Sequence, residues 1–140
     1  FTDEADNFDT LCACFAKELL SGHDIQWDIC QYWVHQFESA GVTVVATHGD
    51  RWRGTFWKLH DLIPKWVHAG IIDYPDVVVA GHRHEFASGT IGRTVFVQNG
   101  ALDGGSGWLT ASSGLSARSC QVVLVVSDKH SLEAIYPIFV

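Results

Sequence analysis

The chain has 140 residues, 47% hydrophobic, 12% aromatic and only 18% charged, enough apolar material for one core and without low-complexity tracts. Sixteen acidic residues against nine basic ones give a formal charge of −7, which argues against gripping a nucleic-acid backbone through clustered Lys and Arg. No apolar run approaches the ~20 residues of a membrane-crossing helix, and no signal peptide is visible.

From Phe8 to Leu20 the apolar residues Phe8, Leu11, Cys12, Phe15, Leu19 and Leu20 recur at three- and four-residue spacing, which predicts an amphipathic helix. Asp6 or Asn7 would cap its start and Gly22 its end. The period then changes to two over Trp27 to Ile29 and Tyr32 to Phe37, as in half-buried strands, with a turn at Ser39 to Gly41. Val42 to Thr47 is a β-branched strand that stops at His48-Gly49-Asp50. Thr55 to Ala69 reads as a second helix, with Phe56, Leu59, Ile63, Trp66 and Val67 on one side and Gly70 as its stop. Pro64 should kink or split it, because proline has no amide hydrogen and clashes with the preceding turn. Asp76 to Ala80 is a second buried strand, ending in Gly81-His82-Arg83-His84. Two hairpins follow: Phe86 to Thr90 with Thr94 to Gln98, and Gln121 to Val126 with Leu132 to Phe139. The Gly- and Ser-rich stretch Asn99 to Ser119 between them reads as a long loop, functional or mobile. Strands with helices first and antiparallel strands last predict one folding unit of the α/β class, a sandwich ending in antiparallel hairpins.

The four cysteines, Cys12, Cys14, Cys30 and Cys120, form no CxxC pair and no zinc-finger spacing. They read as reduced core thiols of a cytoplasmic protein.

The chemistry-bearing residues lie where two buried strands end. His48 follows one strand, and His82 and His84 follow the other. Imidazole is a good ligand for Zn, Mn and Fe, and strand ends hold ligands on rigid backbone. His82 and His84 are two apart, so in an extended turn they face different ways. They suit two neighbouring metals better than one. Neither turn is specific alone, whereas strand–HGD, helix, strand–GHxH, strand and Asn-Gly in that order is.

ATHGD, VVVAGHRH and VFVQNGAL resemble the last motifs of the calcineurin-like metallophosphoesterase family, in particular its phage and prophage branch described as DNA-repair exonuclease-like. The DNFDTL helix, the strand pair before HGD and both hairpins fit the same branch, so the resemblance runs along nearly all of the chain. It implies a β-sandwich with helices on both outer faces around a two-metal centre. Carried over by motif, His48 and His82 would bind the second metal and His84 the first. The family's DxH, its GDxxD and the Asn and catalytic His of its GNHD/E motif are expected upstream of Phe1, so no catalytic residue is assigned within the chain. Residues 1–140 are accordingly expected to be the C-terminal portion of a single phosphoesterase domain, a reading that the absence of any Met also suggests. The implied activity is hydrolysis of a phosphodiester or phosphomonoester, nucleic acid included, by a hydroxide shared between two divalent ions, with Mn favoured over Fe or Zn. Three neutral imidazoles with no bridging carboxylate are a poor match to two such ions, so the chain alone is expected to be inactive. The alternative reading is a catalytically incomplete structural or binding module, or a simple metal-binding domain.

Asp50 would either orient a ligand imidazole or cap the turn after it. Arg83 is the best candidate among Arg51, Arg53 and Arg83 for contact with a substrate phosphate, and Asn99 a turn former beside the site. Trp52, Trp57 and Trp66 read as packing residues before stacking platforms. His35, His60, His68 and His130 show no partner pattern. Gly22-His23-Asp24 echoes GNHD but follows the first helix and reads as a turn. Apolar strands left uncovered predict a homo-oligomer, unless a further N-terminal segment completes the site.

Overall fold

The computed structural model describes residues 8–30, 32–51, 56–102, 107, 111, 114 and 118–140. The chain forms two compact units, Phe1–His35 and Gln36–Val140. In the first, α1 (Phe8–Leu19) is the predicted amphipathic helix, but Leu11, Cys12, Cys14, Phe15 and Leu19 on it are exposed. The expectation of core cysteines therefore holds only for Cys120, which is buried, while Cys30 is half-buried. The predicted caps Asp6 and Asn7 lie outside the described residues. Trp27 to Ile29 form no strand. Alternation over three residues offers no ladder partner to satisfy the backbone, and strand structure begins only at β1 (Val34–Ser39). His35, read as lacking a partner, has its Nε2 3.1 Å from Asp28 Oδ2.

The second unit is organised by a five-stranded mixed sheet in the order β1-β2-β3-β5-β4, with β2 (Val42–Thr47), β3 (Val77–Ala80), β4 (Ala87–Ile91) and β5 (Thr94–Gln98). Ala40 and Gly41 join β1 to β2 with φ of 50° and 73°, the double positive φ that a two-residue hairpin turn needs. β2, β3 and β5 run parallel, with Val44 opposite Val77 and Val77 opposite Val95. β4 pairs antiparallel with β5. Asp76 sets this register: its Oδ2 accepts from Thr43 N at 3.0 Å, its N donates to Thr43 O at 2.9 Å, and its O accepts from Val95 N at 2.8 Å.

Because side chains alternate along a strand, the register divides the sheet into two faces. Val42, Val44 and Val77 pack under Leu124, Val126 and Leu132 of a second, two-stranded sheet formed by β6 (Cys120–Ser127) and β7 (Ser131–Phe139). Val45, Val78 and Phe96 point the other way, and Phe96 meets the His60 ring edge-on at 6.4 Å. His60 lies on the 3₁₀ helix Phe56–Asp61, which leads into α2 (Ile63–His68); Leu59, Ile63 and Trp66 are buried there. Pro64 splits the predicted second helix as expected, falling in the first turn of α2, where a missing amide hydrogen costs nothing. The arrangement is the expected α/β sandwich flanked by helices. Of the loop Asn99 to Ser119, only 99–102, 107, 111, 114, 118 and 119 are described.

Candidate functional site

The ladder β2–β3–β5 places the candidate residues. Thr47, Ala80 and Gln98 stand abreast at its C-terminal end, so His48, Gly81 and Asn99 follow in line. Ligands of open parallel sheets bind beyond this end of the strands. Two backbone bonds extend the ladder past the strands: Gly81 N donates to His48 O at 3.0 Å and Asn99 N to Ala80 O at 2.7 Å. A Cβ at Gly81 would stand 3.4 Å from His48 O, tight for any larger residue.

The Gly81 to His84 turn is sharply bent. His82 and His84 both have positive φ, 70° and 60°, a conformation that costs a non-glycine residue about 1–2 kcal/mol. In this turn His82 Nδ1 comes to 3.1 Å from Nε2 of His48, the residue that follows β2. Their rings meet edge to face, with centroids 5.0 Å apart and planes at 71°. At that distance one ring donates its N–H and the other accepts, so the pair carries one proton between the facing nitrogens. Partial burial of the His82 ring pushes its pKa below the ordinary histidine value; His48, Arg83 and His84 add to this, and Asp50 opposes them.

Asp50 is exposed, and its charge reaches His82. Asn99 Nδ2 donates to Gln121 Oε1 at 3.4 Å, tying the ladder end to the β6–β7 sheet, and Gln121 Nε2 reaches Gly100 O at 3.4 Å. Arg83 and His84 are half-buried, and Arg83 Nε has no hydrogen-bond partner among the described residues. Gln98 was not foreseen: it is buried, and its Nε2 donates to Glu85 O at 2.7 Å, holding the far side of the histidine turn. The signal was a polar residue closing an otherwise apolar strand. Trp66 packs in the core, whereas Trp52 and the side chain of Trp57 lie outside the described residues.

The turns therefore bring His48 and His82 together without building a metal centre. Among the described residues no group of three or more His, Cys, Asp and Glu side chains is disposed to hold a metal ion. The expectation of two divalent ions, manganese or otherwise, on His48, His82 and His84 is overturned. With it go the readings of the chain as a metal-binding hydrolase and as a phosphodiesterase or other phosphoesterase acting through a dinuclear site. The physical reason lies in the donor set. The facing nitrogens of His48 and His82 are bonded to each other, and among the described residues no carboxylate completes a group with them to balance a divalent charge. No helix of the described residues is long and apolar enough to cross a membrane.

No protein-family model matches the chain, and no curated protein sequence does. Solved structures do, at low identity. Vps29 from Entamoeba histolytica in complex with Zn2+ is similar over 91% of this chain and 77% of its own, at 12% identity and a TM-score of 0.53. The Thermotoga maritima protein TM1076, solved by NMR, matches over 96% and 74% at 18% identity and a TM-score of 0.54. Vps29 from Chaetomium thermophilum complexed with a cyclic peptide matches over 79% and 61% at 12% identity and a TM-score of 0.50. Against a single mutant of the Entamoeba protein the chain spans 66% of that protein's length. These likenesses establish a calcineurin-like, Vps29-like phosphoesterase fold. They do not single out a phage branch, nor restrict the resemblance to a C-terminal half.

Proposed function

We propose that this chain is a non-catalytic structural and binding module on a calcineurin-like scaffold. One observation carries the reading: where metal ligands were expected, His48 and His82 spend their facing nitrogens on each other, without a third donor among the described residues. In this role His48, His82 and Gly81 hold the ends of β2 and β3 together, Gln98 fixes the turn from beneath, and Asn99 ties β5 to the second sheet. Asp50, Arg83 and His84 surround that clasp as a polar rim. The Chaetomium Vps29 complex supports a binding role, since a protein of this fold there holds a peptide. Four free thiols suit a reducing, cytoplasmic setting. Relation to the phage and prophage branch rests on the sequence resemblance alone, on ATHGD, VVVAGHRH and VFVQNGAL together with the DNFDTL helix, the strand pair before HGD and the hairpins.

The test is an assay of the purified chain on bis-p-nitrophenyl phosphate with added Mn2+. The expected outcome is turnover at the buffer rate, equal for the parent and for His82→Ala. Metal-dependent turnover that disappears in His82→Ala would overturn the proposal.

A further inference from the structure

Arg83 sits half-buried in the Gly81 to His84 turn, in a chain where acidic residues outnumber basic ones sixteen to nine. Even so, no carboxylate is ion-paired with it among the described residues, and its covered Nε has no hydrogen-bond partner there. A guanidinium stays charged at every working pH, and half-burial weakens its hydration, so leaving it without an acceptor is costly. Glu85, two residues on, is exposed and does not pair with it. The Glu85 backbone oxygen instead accepts from buried Gln98 Nε2 at 2.7 Å, which fixes the turn that carries Arg83. A second donor belongs to the same turn. Arg83 lies close enough to His82 to help lower its pKa. His82 and His48 are both exposed and share one hydrogen bond, Nδ1 to Nε2 at 3.1 Å. One of these facing nitrogens accepts, and an imidazole that accepts on one nitrogen carries its proton on the other. The accepting ring therefore turns an N–H away from its partner. When His82 accepts, that group is its Nε2–H, on the residue next to Arg83.

We propose that the Arg83 guanidinium and the His82 Nε2–H together bind a carboxylate group, without a metal, at the end of the β2–β3–β5 ladder. Charge selects a carboxylate over a phosphate. The turn offers one fixed positive charge, Arg83, and desolvation of the His82 ring resists adding a second. Asp50 stands near enough for its negative charge to act on His82. Arg83 balances a monoanion, whereas a phosphate close to the dianion at neutral pH leaves excess negative charge beside Asp50. Donor chemistry agrees, since a planar guanidinium pairs most strongly with the two oxygens of a flat carboxylate, and the imidazole N–H adds a second point of attachment. Binding also selects one form of the histidine pair, with His48 Nε2 donating and His82 Nδ1 accepting. The inference rests on the non-catalytic reading, because it needs His48 and His82 bonded to each other and not to a metal. It gives that reading a ligand class: a small free carboxylate, or the Asp or Glu side chain of a partner.

The experiment titrates acetate into the 15N-labelled 140-residue chain at neutral pH, with EDTA present and ionic strength held by chloride. Saturable shifts are expected at the Arg83 guanidinium and at His82 Nε2, with His48 Nε2 protonated in the bound form. Arg83→Gln should weaken acetate about tenfold, and Arg83→Lys less, since a point charge keeps the attraction but loses the fork. Asp50→Asn, at an exposed position, should tighten acetate about twofold, and it keeps the test decisive if Arg83→Gln unfolds. Inorganic phosphate should bind more weakly than acetate. Aspartate blocked as its N-acetyl N-methylamide separates the two sources: tighter binding than acetate assigns the site to a partner's side chain, and equal or weaker binding to a free carboxylate. No saturable shift, phosphate binding tighter than acetate, or an affinity that neither Arg83→Gln nor Asp50→Asn moves overturns the proposal. Loss of acetate binding with turnover at the buffer rate strikes this inference alone. Metal-dependent turnover that disappears in His82→Ala strikes the reading beneath it as well.

Discussion

The β2–β3–β5 ladder and the β6–β7 hairpin are both Val-rich, yet they serve different ends. Val45, Val77, Val78 and Val97 are fully buried, because the ladder is covered on one face by the hairpin and on the other by the helical layer. The hairpin is covered on one face only, and its outer Val123, Val125, Tyr136 and Ile138 meet solvent. Parallel strands with both faces covered read as continuous apolar runs, whereas a half-covered antiparallel hairpin commonly alternates with polar residues, and here the outer face stays apolar at Val123, Val125, Tyr136 and Ile138. Sequence composition thus tells the two apart poorly; topology tells them apart well.

The contrast is sharpest at Phe96, which is fully buried on β5. Phe96→Ala should cost about 3–5 kcal/mol in urea unfolding, while Val125→Thr on the hairpin's outer face, measured where the chain is monomeric, should stay within ~0.5 kcal/mol. Similar losses for the two would erase the distinction. Where the two regions meet, a Cβ on Gly100 would lie 2.8 Å from Cys120 Cβ and 3.0 Å from Cys120 O. Gly100→Ala is therefore expected to cost about 1–3 kcal/mol, and a thermal melt unchanged from the parent would show that the sheets can move apart.

A smaller effect belongs to the start of the ladder. Buried Thr94 donates from Oγ1 to Pro75 O at 2.8 Å. Thr94→Val, similar in shape, should lose about 1 kcal/mol, read from the urea midpoint at constant slope. The smallest effect is the pH dependence from His82. Its folded pKa is below the ordinary value of about 6.5, so the unfolded chain binds more protons in that range. This contribution is present above pH ~6.5 and is lost as pH falls through the folded pKa. His82→Gln should flatten the stability profile below neutrality, and an unchanged slope would remove His82 as its source.

Much of this architecture was legible in the residues. The runs at Val42 to Thr47 and Thr94 to Gln98 coincide with β2 and β5, since β-branched runs bounded by Gly and polar residues admit little else. Pro64 announced the break between the 3₁₀ helix and α2. What could not be read was geometry at longer range. Spacing placed His82 and His84 in an extended turn facing apart, but both adopt positive φ, and His82 folds back onto His48. Linear order brought three imidazoles to the same sheet end, and it carried no information on whether a carboxylate would join them. Nor did the periodicity of α1 reveal that its apolar stripe stays exposed, because amphipathic spacing says which residues share a face and not what meets it.

The central claim, that His48 and His82 form a hydrogen-bonded pair and not a metal site, is tested most directly on the imidazole nitrogens themselves. Long-range 1H–15N spectra of the chain should show Nε2 of His48 and Nδ1 of His82 as one protonated and one unprotonated partner, unmoved by stoichiometric Zn2+ or by low-micromolar Mn2+. Saturable one-to-one binding that shifts or broadens both nitrogens together would contradict the account.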